Sequence, residues 1–308
     1  MDSLFINKEV LISIKNNNLR IQNKEKTKEI IIPLHELKTI LIDDFFSISK
    51  KFFEICIKNN ITLIMTDEKH YPSIFLLNLN NPYFKMYDTL KNQLNLENNE
   101  SLKMQIWKKF LFIKILNSFR LINVVSKKDF CKIDYFRKIY KTNNKLVLLQ
   151  IEGEIANLYY KMIFGESFKR QTKYYINKDV INSFLNYGYT ILRSKIIHYL
   201  SINGLMPYFS IFHSSNNNNF ALADDILECY RYLIDYLVIK NIKLFEYLDK
   251  LDTNLKKLAL SVFSLKVKVK NKGSFNLNDA IMMAIKDYKN FLITKELKFL
   301  NKFKTQLY

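Results

Sequence analysis

The chain has 308 residues and a formal net charge of +19, from 48 lysines and arginines against 29 acidic residues. Hydrophobic residues make up 48% of it, enough to bury a core, and no apolar run is long enough to span a bilayer. The opening Met1-Asp2-Ser3 is unlike a secretory signal, and the three cysteines lack a metal-ligand spacing. These features exclude a membrane-spanning protein and a disulfide scaffold, and they predict a cytoplasmic protein without membrane partners.

The basic excess has two explanations. A phosphate backbone is the usual partner of such a charge, because each neutralised phosphate releases condensed counterions. A lysine-rich, AT-biased genome would also raise the lysine and asparagine content. We therefore keep nucleic-acid binding as the favoured explanation and composition bias as the alternative.

Residues 4 to about 80 predict a small β domain. Polar turns separate short β-branched runs, and one helix, from about residue 47 to 58, interrupts them. The predicted strands are Val10–Ile14, Leu19–Ile21, Ile30–Ile32, Thr39–Ile42, Ile61–Met65 and Ser73–Leu77. Asn78 to Pro82 makes a plausible hinge, so the predicted N-terminal domain comprises residues 1–82.

Beyond Pro82 the apolar residues recur at helical spacing almost to Tyr308. Residues 84–96, 101–125, 180–203 and about 278–294 predict helices, and a basic tail begins at Leu265. We therefore predict an α+β protein in which residues 83–308 form a larger, all-helical catalytic domain. Four of the five glycines lie between residues 153 and 204; Gly153 and Gly188 fall inside helical patterns, where we expect close packing or a functional role.

Acidic residues cluster beside a histidine in the segment from His213 to Glu228. Asp224 and Asp225 are expected in a first helical turn, and Glu228 lies one turn later on the same face. Such carboxylates either face water or share a cation, but acids in a first turn also interact favourably with the helix dipole and need no other role. Glu152, before Gly153, is expected to open another helix. It too is either part of a ligand site or an ordinary first-turn acid.

The order of several segments resembles the family of CRISPR-associated protein one, the DNA integrase of the spacer-adaptation module, most closely its type II-like branch. The segments cover nearly the whole chain: Ile32-Pro33-Leu34, Asn60 to His70, Glu152-Gly153, Phe164 to Arg170, Leu185-Asn-Tyr-Gly-Tyr189, Gly204-Leu205, His213 to Glu228 and Ala280 to Ile285. The resemblance implies an N-terminal β domain and a helical domain that holds a divalent metal. Each segment alone is weak evidence for the family, but together the segments occur in the family's order and are strong evidence.

The resemblance also implies particular site residues. The family's metal ligands match Glu152, His213 and Glu228, with Asp225 as a supporting carboxylate. Oxygen ligands with one imidazole suit Mg²⁺ or Mn²⁺. Five basic residues near the site in sequence are candidates for contacts with the DNA backbone: Lys169, Arg170, Lys173, Arg193 and Arg231. For Arg231, a helical pair with Asp235 is an equal alternative.

Two positions depart from the family pattern. The family often reads Gly-Ile-His-His where this chain has Ser210-Ile-Phe212-His213, and Glu-Pro-Phe-Arg-Pro becomes Glu228-Cys-Tyr-Arg-Tyr232. The metal-ligand positions are retained, but with these two departures the resemblance does not determine the shape of the loop. His35, His70 and His198 are weaker candidates, and His198, within an apolar helix, is expected to be packed or hydrogen-bonded.

The function implied by the resemblance is metal-dependent integration of DNA. A protospacer 3′-hydroxyl would attack a phosphodiester of the repeat array, catalysed by Glu152, His213 and Glu228. The implied partners are double-stranded DNA, a second copy of the chain in a homodimer, and the second CRISPR adaptation protein. Two alternatives remain: a non-catalytic basic nucleic-acid-binding protein, and a general structure-specific DNA nuclease.

Overall fold

The computed structural model describes residues 3–44, 47–68, 72–76, 86–127, 129–171, 179–212, 218–269 and 272–307. Two sheets form the N-terminal part, and helices dominate the rest, so the predicted α+β class is confirmed. His70, Pro82, Lys173 and His213 lie outside the described residues. The predicted domain boundary at Pro82 therefore stays a prediction.

Each of the six predicted strands has a counterpart, whereas the strands at Ser3–Asn7 and Ser47–Ile48 were not predicted. The strands are β1 (Ser3–Asn7), β2 (Val10–Lys15), β3 (Asn18–Asn23), β4 (Glu29–Pro33), β5 (Thr39–Asp44), β6 (Ser47–Ile48), β7 (Thr62–Thr66), β8 (Pro72–Phe75), β9 (Lys266–Val269), β10 (Gly273–Asn276) and β11 (Thr305–Leu307). The helices are α1 (Lys50–Lys58), α2 (Met86–Glu97), α3 (Glu100–Ser126), α4 (Ile133–Lys141), α5 (Lys145–Phe164), α6 (Val180–Ile202), α7 (Ala221–Leu227), α8 (Tyr232–Lys240), α9 (Ile242–Glu246), α10 (Thr253–Leu260) and α11 (Leu277–Thr294). Short 3₁₀ turns occur at Leu34–Glu36, Ser261–Ser264 and Leu297–Phe303.

The N-terminal part contains two four-stranded sheets. One has the order β4-β3-β2-β6, with antiparallel β2, β3 and β4 and a parallel β2–β6 pair. The other has the order β1-β5-β7-β8, in which β1, β5 and β7 are parallel. Helix α1 connects β5 to β7, as a parallel pair requires a crossover.

The second sheet is buried on both faces. Leu41 and Ile64 belong to the core of the helical part, whereas Ile40, Ile42 and Leu63 belong to the separate core of the N-terminal part. Alternate side chains of a strand point to opposite faces, so β5 and β7 contribute to two cores at once. This explains their nearly continuous apolar sequences, which a strand with one solvated face would not have.

The C-terminal part is mostly helical, with one feature that the prediction of an all-helical domain left out. Strands β9, β10 and β11 form an antiparallel sheet of order β10-β9-β11. In β9, Val267 and Val269 are buried while Lys266 and Lys268 are exposed. The predicted basic tail is therefore in part a strand with one buried face. No helix of the described chain is long and apolar enough to cross a membrane.

Buried polar groups connect the helical part to the N-terminal sheet. The ammonium group of Lys195, on α6, is fully buried and donates to the Lys38 carbonyl oxygen at 2.9 Å and to the hydroxyls of Thr39 and Thr62 at 2.7 and 2.9 Å. One turn later, Nε2 of His198 lies 3.2 Å from the Asn60 carbonyl oxygen. This bond confirms the expected hydrogen-bonded role of His198.

Candidate active site

Glu152 and Glu228 reach one site from two different helices. Glu152 lies in the middle of α5, which begins at Lys145; the prediction that Glu152 opens its helix was wrong. The cap is Asn144, whose side chain accepts a hydrogen bond from the amide of Leu146 at 2.9 Å, and the preceding helical turns contribute buried Leu148 and Ile151. Glu228 is the C-terminal cap of α7.

The two carboxylates share one cation, the ammonium group of Lys114 on α3. Its Nζ lies 2.5 Å from Oε1 of Glu152 and 2.7 Å from Oε2 of Glu228. Burial alone would lower the pKa of Lys114, but the charges of Glu228 and Glu152 outweigh it, so the pKa lies above its ordinary value. Lys114 is therefore fully charged at neutral pH and neutralises part of the acidic pair.

Sequence reasoning missed Lys114, although the sequence contains a signal for it. Trp107, Phe110, Leu111 and Lys114 recur at intervals of three and four residues on α3, and the first three are buried. A lysine on the apolar face of a helix is often paired with a buried acid, although Lys195 is satisfied by a carbonyl oxygen and two hydroxyls instead. Glu152 and Glu228 were already candidate site residues, so the pattern made both of them candidate partners of Lys114.

A small cavity lies at the acidic pair. Its volume is about 20 Å³, which is enough for one water molecule or one ion. The lining residues are Trp107, Phe110, Leu111, Lys114, Glu152, Ile211, Phe212, Asp225 and Glu228. The predicted residues Glu152, Asp225 and Glu228 thus line one cavity.

Asp225 supports the segment that leads to His213. Its Oδ2 accepts hydrogen bonds from the backbone amides of Ile211 at 2.6 Å and Phe212 at 3.2 Å. The Phe212 ring stacks on Trp107 with ring centroids 3.8 Å apart. The phenylalanine that replaces the family's first histidine is thus packed against α3, and the backbone before His213 is held by Asp225.

A second cavity of about 130 Å³ adjoins the first and shares Lys114, Glu152 and Glu228 with it. The predicted DNA-binding residues Arg170 and Arg231 line this cavity. The guanidinium of Arg231 contacts Oε1 of Glu228 at 3.0 Å, so the predicted alternative pairing with Asp235 is not the contact that it makes. The two adjoining cavities are therefore lined by four acids, Glu152, Asp225, Glu228 and Asp235, and by three basic residues, Lys114, Arg170 and Arg231.

The two arginines are held in place by their neighbours. Arg170 donates to Oδ1 of Asn182 at 2.9 Å and of Asn186 at 2.5 Å. The guanidinium groups of Arg170 and Arg231 lie 5.3 and 5.0 Å from the ring centre of Tyr189. Oriented guanidinium groups suit the tetrahedral oxygens of a phosphodiester.

Other predicted DNA-binding residues are placed differently. Arg193 makes a two-pronged ion pair with Asp224, with Nε and NH2 each 2.8 Å from a carboxylate oxygen. Asp224 therefore holds Arg193 and has a role separate from that of Asp225. The side chain of Lys169 is exposed, and its carbonyl oxygen accepts a bond from Asn182 at 3.0 Å.

In the wall of the second cavity, a buried carboxylate accepts hydrogen bonds from two tyrosines. Tyr159 and Tyr189 each donate to Asp235 at 2.5 Å. Burial raises the pKa of Asp235 to about 6, although these two hydrogen bonds favour the ionised form. Tyr189 thus joins the buried acid to the arginines above it.

Comparison with known proteins identifies the family. The family model of CRISPR-associated protein Cas1 matches residues 4–262. The chain belongs to the Cas1 family. A CRISPR-associated endonuclease Cas1 from Neisseria meningitidis serogroup C (strain 8013) is 29% identical over 242 residues, which is 77% of this chain and 74% of the relative. The resemblance identified in the sequence is confirmed.

Solved structures show the same fold. A casposase bound to its integration product superposes with a TM-score of 0.79 at 18% identity, covering 97% of this chain and 93% of the casposase. A Cas6-RT-Cas1–Cas2 complex matches with a TM-score of 0.72 at 18% identity, covering 97% of this chain and 35% of the longer one. Glu152 and Glu228 therefore lie in a fold shared by Cas1 proteins and a casposase.

Proposed function

We propose that this Cas1-family protein is a metal-dependent DNA integrase of CRISPR spacer acquisition. Its reaction would be the attack of a protospacer 3′-hydroxyl on a phosphodiester of the repeat array. The observation that carries the proposal is the shared coordination of one cation by Glu152 and Glu228, beside a cavity lined by Arg170 and Arg231. A protein that only binds DNA would need the arginines but not the paired acids.

The donor set fits Mg²⁺ or Mn²⁺. Within the described residues no three acidic, histidine or cysteine side chains already form a metal-binding group. Glu152 and Glu228, however, bind one ammonium group from both sides, and Asp225 holds the backbone that precedes His213. We propose Glu152, Glu228 and His213 as ligands, with Asp225 as the supporting carboxylate. A bound divalent ion would stabilise negative charge on the attacking and leaving oxygens.

The protein's own residues would orient the reacting phosphate. Arg231 and Arg170 would bind its non-bridging oxygens, which fixes the phosphorus in line with the incoming hydroxyl. The contact with Glu228 and the face of Tyr189 restrict the motion of Arg231, so this side chain loses little conformational entropy when it binds the phosphate. Trp107 and Phe212 line the other side of the acidic pair with apolar rings.

The proposed partners are double-stranded DNA, a Cas2-type adaptation protein and a second copy of the chain. A fold neighbour is part of a complex that contains Cas2, and the casposase is bound to an integration product.

Strand β4 is at the edge of its sheet, and Ile30 and Ile31 on it are 59% and 54% exposed. An exposed apolar edge strand favours pairing with another chain. Light scattering should show a dimer that Ile31→Lys converts to a monomer, and an unchanged mass would contradict this contact.

A structure-specific DNA nuclease is the second candidate, because the same acidic pair could direct water at the phosphate and the Neisseria relative is named an endonuclease. The deciding assay mixes a duplex with free 3′-hydroxyl ends, supercoiled repeat DNA and Mn²⁺. An integrase joins the labelled strand to the plasmid. A nuclease relaxes the plasmid without joining, which would overturn the proposal.

A further inference from the structure

A third and larger pocket lies on the side of α3 opposite the acidic pair. Its volume is about 440 Å³, within the range of roughly 300–1,000 Å³ typical of small-molecule sites. It is lined by Gln105, Lys108, Lys109, Phe112, Ile113, Ile139, Tyr140, Leu297, Asn301 and Lys304. Residues 105, 108, 109 and 112 of α3 point away from residues 107, 111 and 114, since each residue turns the helix by about 100°. The pocket is therefore separate from the candidate active site.

The charges of the pocket select an anion. Lys108, Lys109 and Lys304 line it, and none of the described lining residues is acidic. Lys108 also fixes the pocket's shape: its Nζ donates to Oδ1 of Asn143 at 2.6 Å and to the carbonyl oxygen of Tyr140 at 3.3 Å. These bonds tie the end of α4 to α3, so the pocket is formed before any ligand enters.

The remaining lining residues select a flat, largely apolar group. The ring of Phe112 packs against Tyr140 with centroids 6.1 Å apart, and Lys304 lies 5.9 Å above the Phe112 ring. Tyr140 is 72% exposed, so its ring is accessible at the mouth of the pocket. Ile113, Ile139 and Leu297 supply apolar walls. An aromatic surface beside lysines is the combination that binds a base together with its phosphate.

We propose that this pocket binds one unpaired nucleotide of a DNA strand, with the base against Tyr140 and the phosphate near Lys304 and Lys109. A base within a duplex is already stacked and could not enter, whereas an unstacked base exposes its face. The inference rests on the proposed function only in taking DNA as the ligand. It assigns no chemistry to the pocket, which would hold a single-stranded segment while Glu152 and Glu228 act elsewhere.

The test compares two double variants that remove the same groups. Tyr140→Ala with Lys304→Ala alters the pocket. Tyr247→Ala with Lys50→Ala removes a tyrosine that is 83% exposed and a lysine whose side chain is 90% exposed, both outside the pocket.

Fluorescence anisotropy with a short oligodeoxythymidine and with a blunt duplex is measured in EDTA, so that metal binding does not contribute. We expect the pocket variant to lose about tenfold in affinity for the single strand. We expect the control to lose much less, and duplex affinity to be equal in the two variants.

Equal losses of single-strand affinity in the two variants would overturn the proposal, because only charge would then matter. Competition identifies the ligand: thymidine monophosphate should displace the oligonucleotide better than inorganic phosphate or thymidine does. Phosphate that competes as well as the nucleotide would reduce the pocket to an anion site and also refute the proposal. Strand joining by the wild-type protein, measured separately, tests the proposed function, so failure of either idea leaves the other intact.

Discussion

Nζ of Lys114 lies 2.7 Å from Oε2 of Glu228 and 2.5 Å from Oε1 of Glu152, between the two acids proposed as metal ligands. The adjacent cavity has room for about one water molecule or ion. We propose that a divalent ion bound by both acids would displace the Lys114 ammonium group, which would then be available to a phosphate oxygen. In the structure this ammonium group neutralises part of the acidic pair.

Lys114→Met should tighten Mn²⁺ binding at least about tenfold, because the ion no longer displaces a charge-assisted hydrogen bond worth about 1.5–3 kcal/mol. Calorimetric titration of Mn²⁺ without DNA measures this directly. Lys103→Met is the matched control, since Lys103 lies on the same helix and contacts Glu97 at 3.0 Å. Unchanged Mn²⁺ affinity in Lys114→Met would show that the ion binds elsewhere.

Glu152→Gln and Glu228→Gln should each abolish strand joining while leaving DNA binding within about twofold of the wild type. Each change removes a proposed metal ligand but keeps the shape of the side chain. Glu154→Gln is the control, because Glu154 is exposed and bonded to Gln150 at 2.9 Å. Wild-type joining rates in Glu152→Gln would end the assignment.

The sequence predicted the elements and the acidic residues better than their surroundings. The strands and long helices followed from period-two and period-3.6 patterns, and the family resemblance supplied Glu152 and Glu228. The short strand at Lys266 was missed because four alternating residues in a lysine-rich tail also fit a solvated segment. The pairing of Arg193 with Asp224 depends on how α6 and α7 pack, which no local pattern encodes.

The two helical glycines also show that a local sequence pattern does not encode packing between helices. Close packing or a functional role was expected at both, and the structure shows close packing at Gly188 alone, where an added Cβ would lie 2.7 Å from Cγ2 of Ile234. At Gly153 an added Cβ would meet nothing within 4 Å, so close packing does not explain that glycine, and a functional role there stays a prediction. Both positions look alike in sequence because each is a glycine in an apolar helical pattern.

Gly188→Ala should therefore lower the free energy of unfolding by about 1–3 kcal/mol, the usual effect of overpacking a core. Gly153→Ala should raise it by roughly 0.5–1 kcal/mol, because alanine restricts the unfolded chain in a helix with free space. Urea unfolding of both variants checks the opposite signs. Equal destabilisation by the two changes would contradict the packing described at Gly188.

His198 should make stability depend on pH. Burial and the nearby charge of Lys195 lower the pKa of His198 to about 3, so the folded protein resists its protonation while the unfolded chain accepts a proton near pH 6.5. Its contribution to stability is complete above pH 6.5 and is lost as the pH falls towards 3. At pH 5 the loss is about 2 kcal/mol.

Urea unfolding at pH 7 and pH 5 should show this loss in the wild type and a smaller one in His198→Gln. The exposed His35 provides the control substitution, His35→Gln, which should keep the wild-type pH dependence. If the free energy of unfolding fell as much between pH 7 and pH 5 in His198→Gln as in the wild type, groups other than His198 would be responsible.

The last prediction concerns the metal and the acid limb of activity. One imidazole among oxygen ligands suits Mn²⁺ at least as well as Mg²⁺, so Mn²⁺ should support strand joining equally or better, and Ca²⁺ poorly. An imidazole must be neutral to bind a metal and titrates near about pH 6.5, so protons compete with the ion. Raising the Mn²⁺ concentration should therefore move the acid limb of the rate profile to lower pH.

Strand joining measured from acid to mildly alkaline pH at two Mn²⁺ concentrations decides whether His213 is a ligand. Asp225 and Trp107 hold the backbone and the ring of Phe212, the residue just before it. An acid limb that stayed fixed as Mn²⁺ rose would exclude His213 from the metal. Asp225, which lines the same cavity as Glu152 and Glu228, would then be the better candidate for the third ligand, and the role of the loop would be structural.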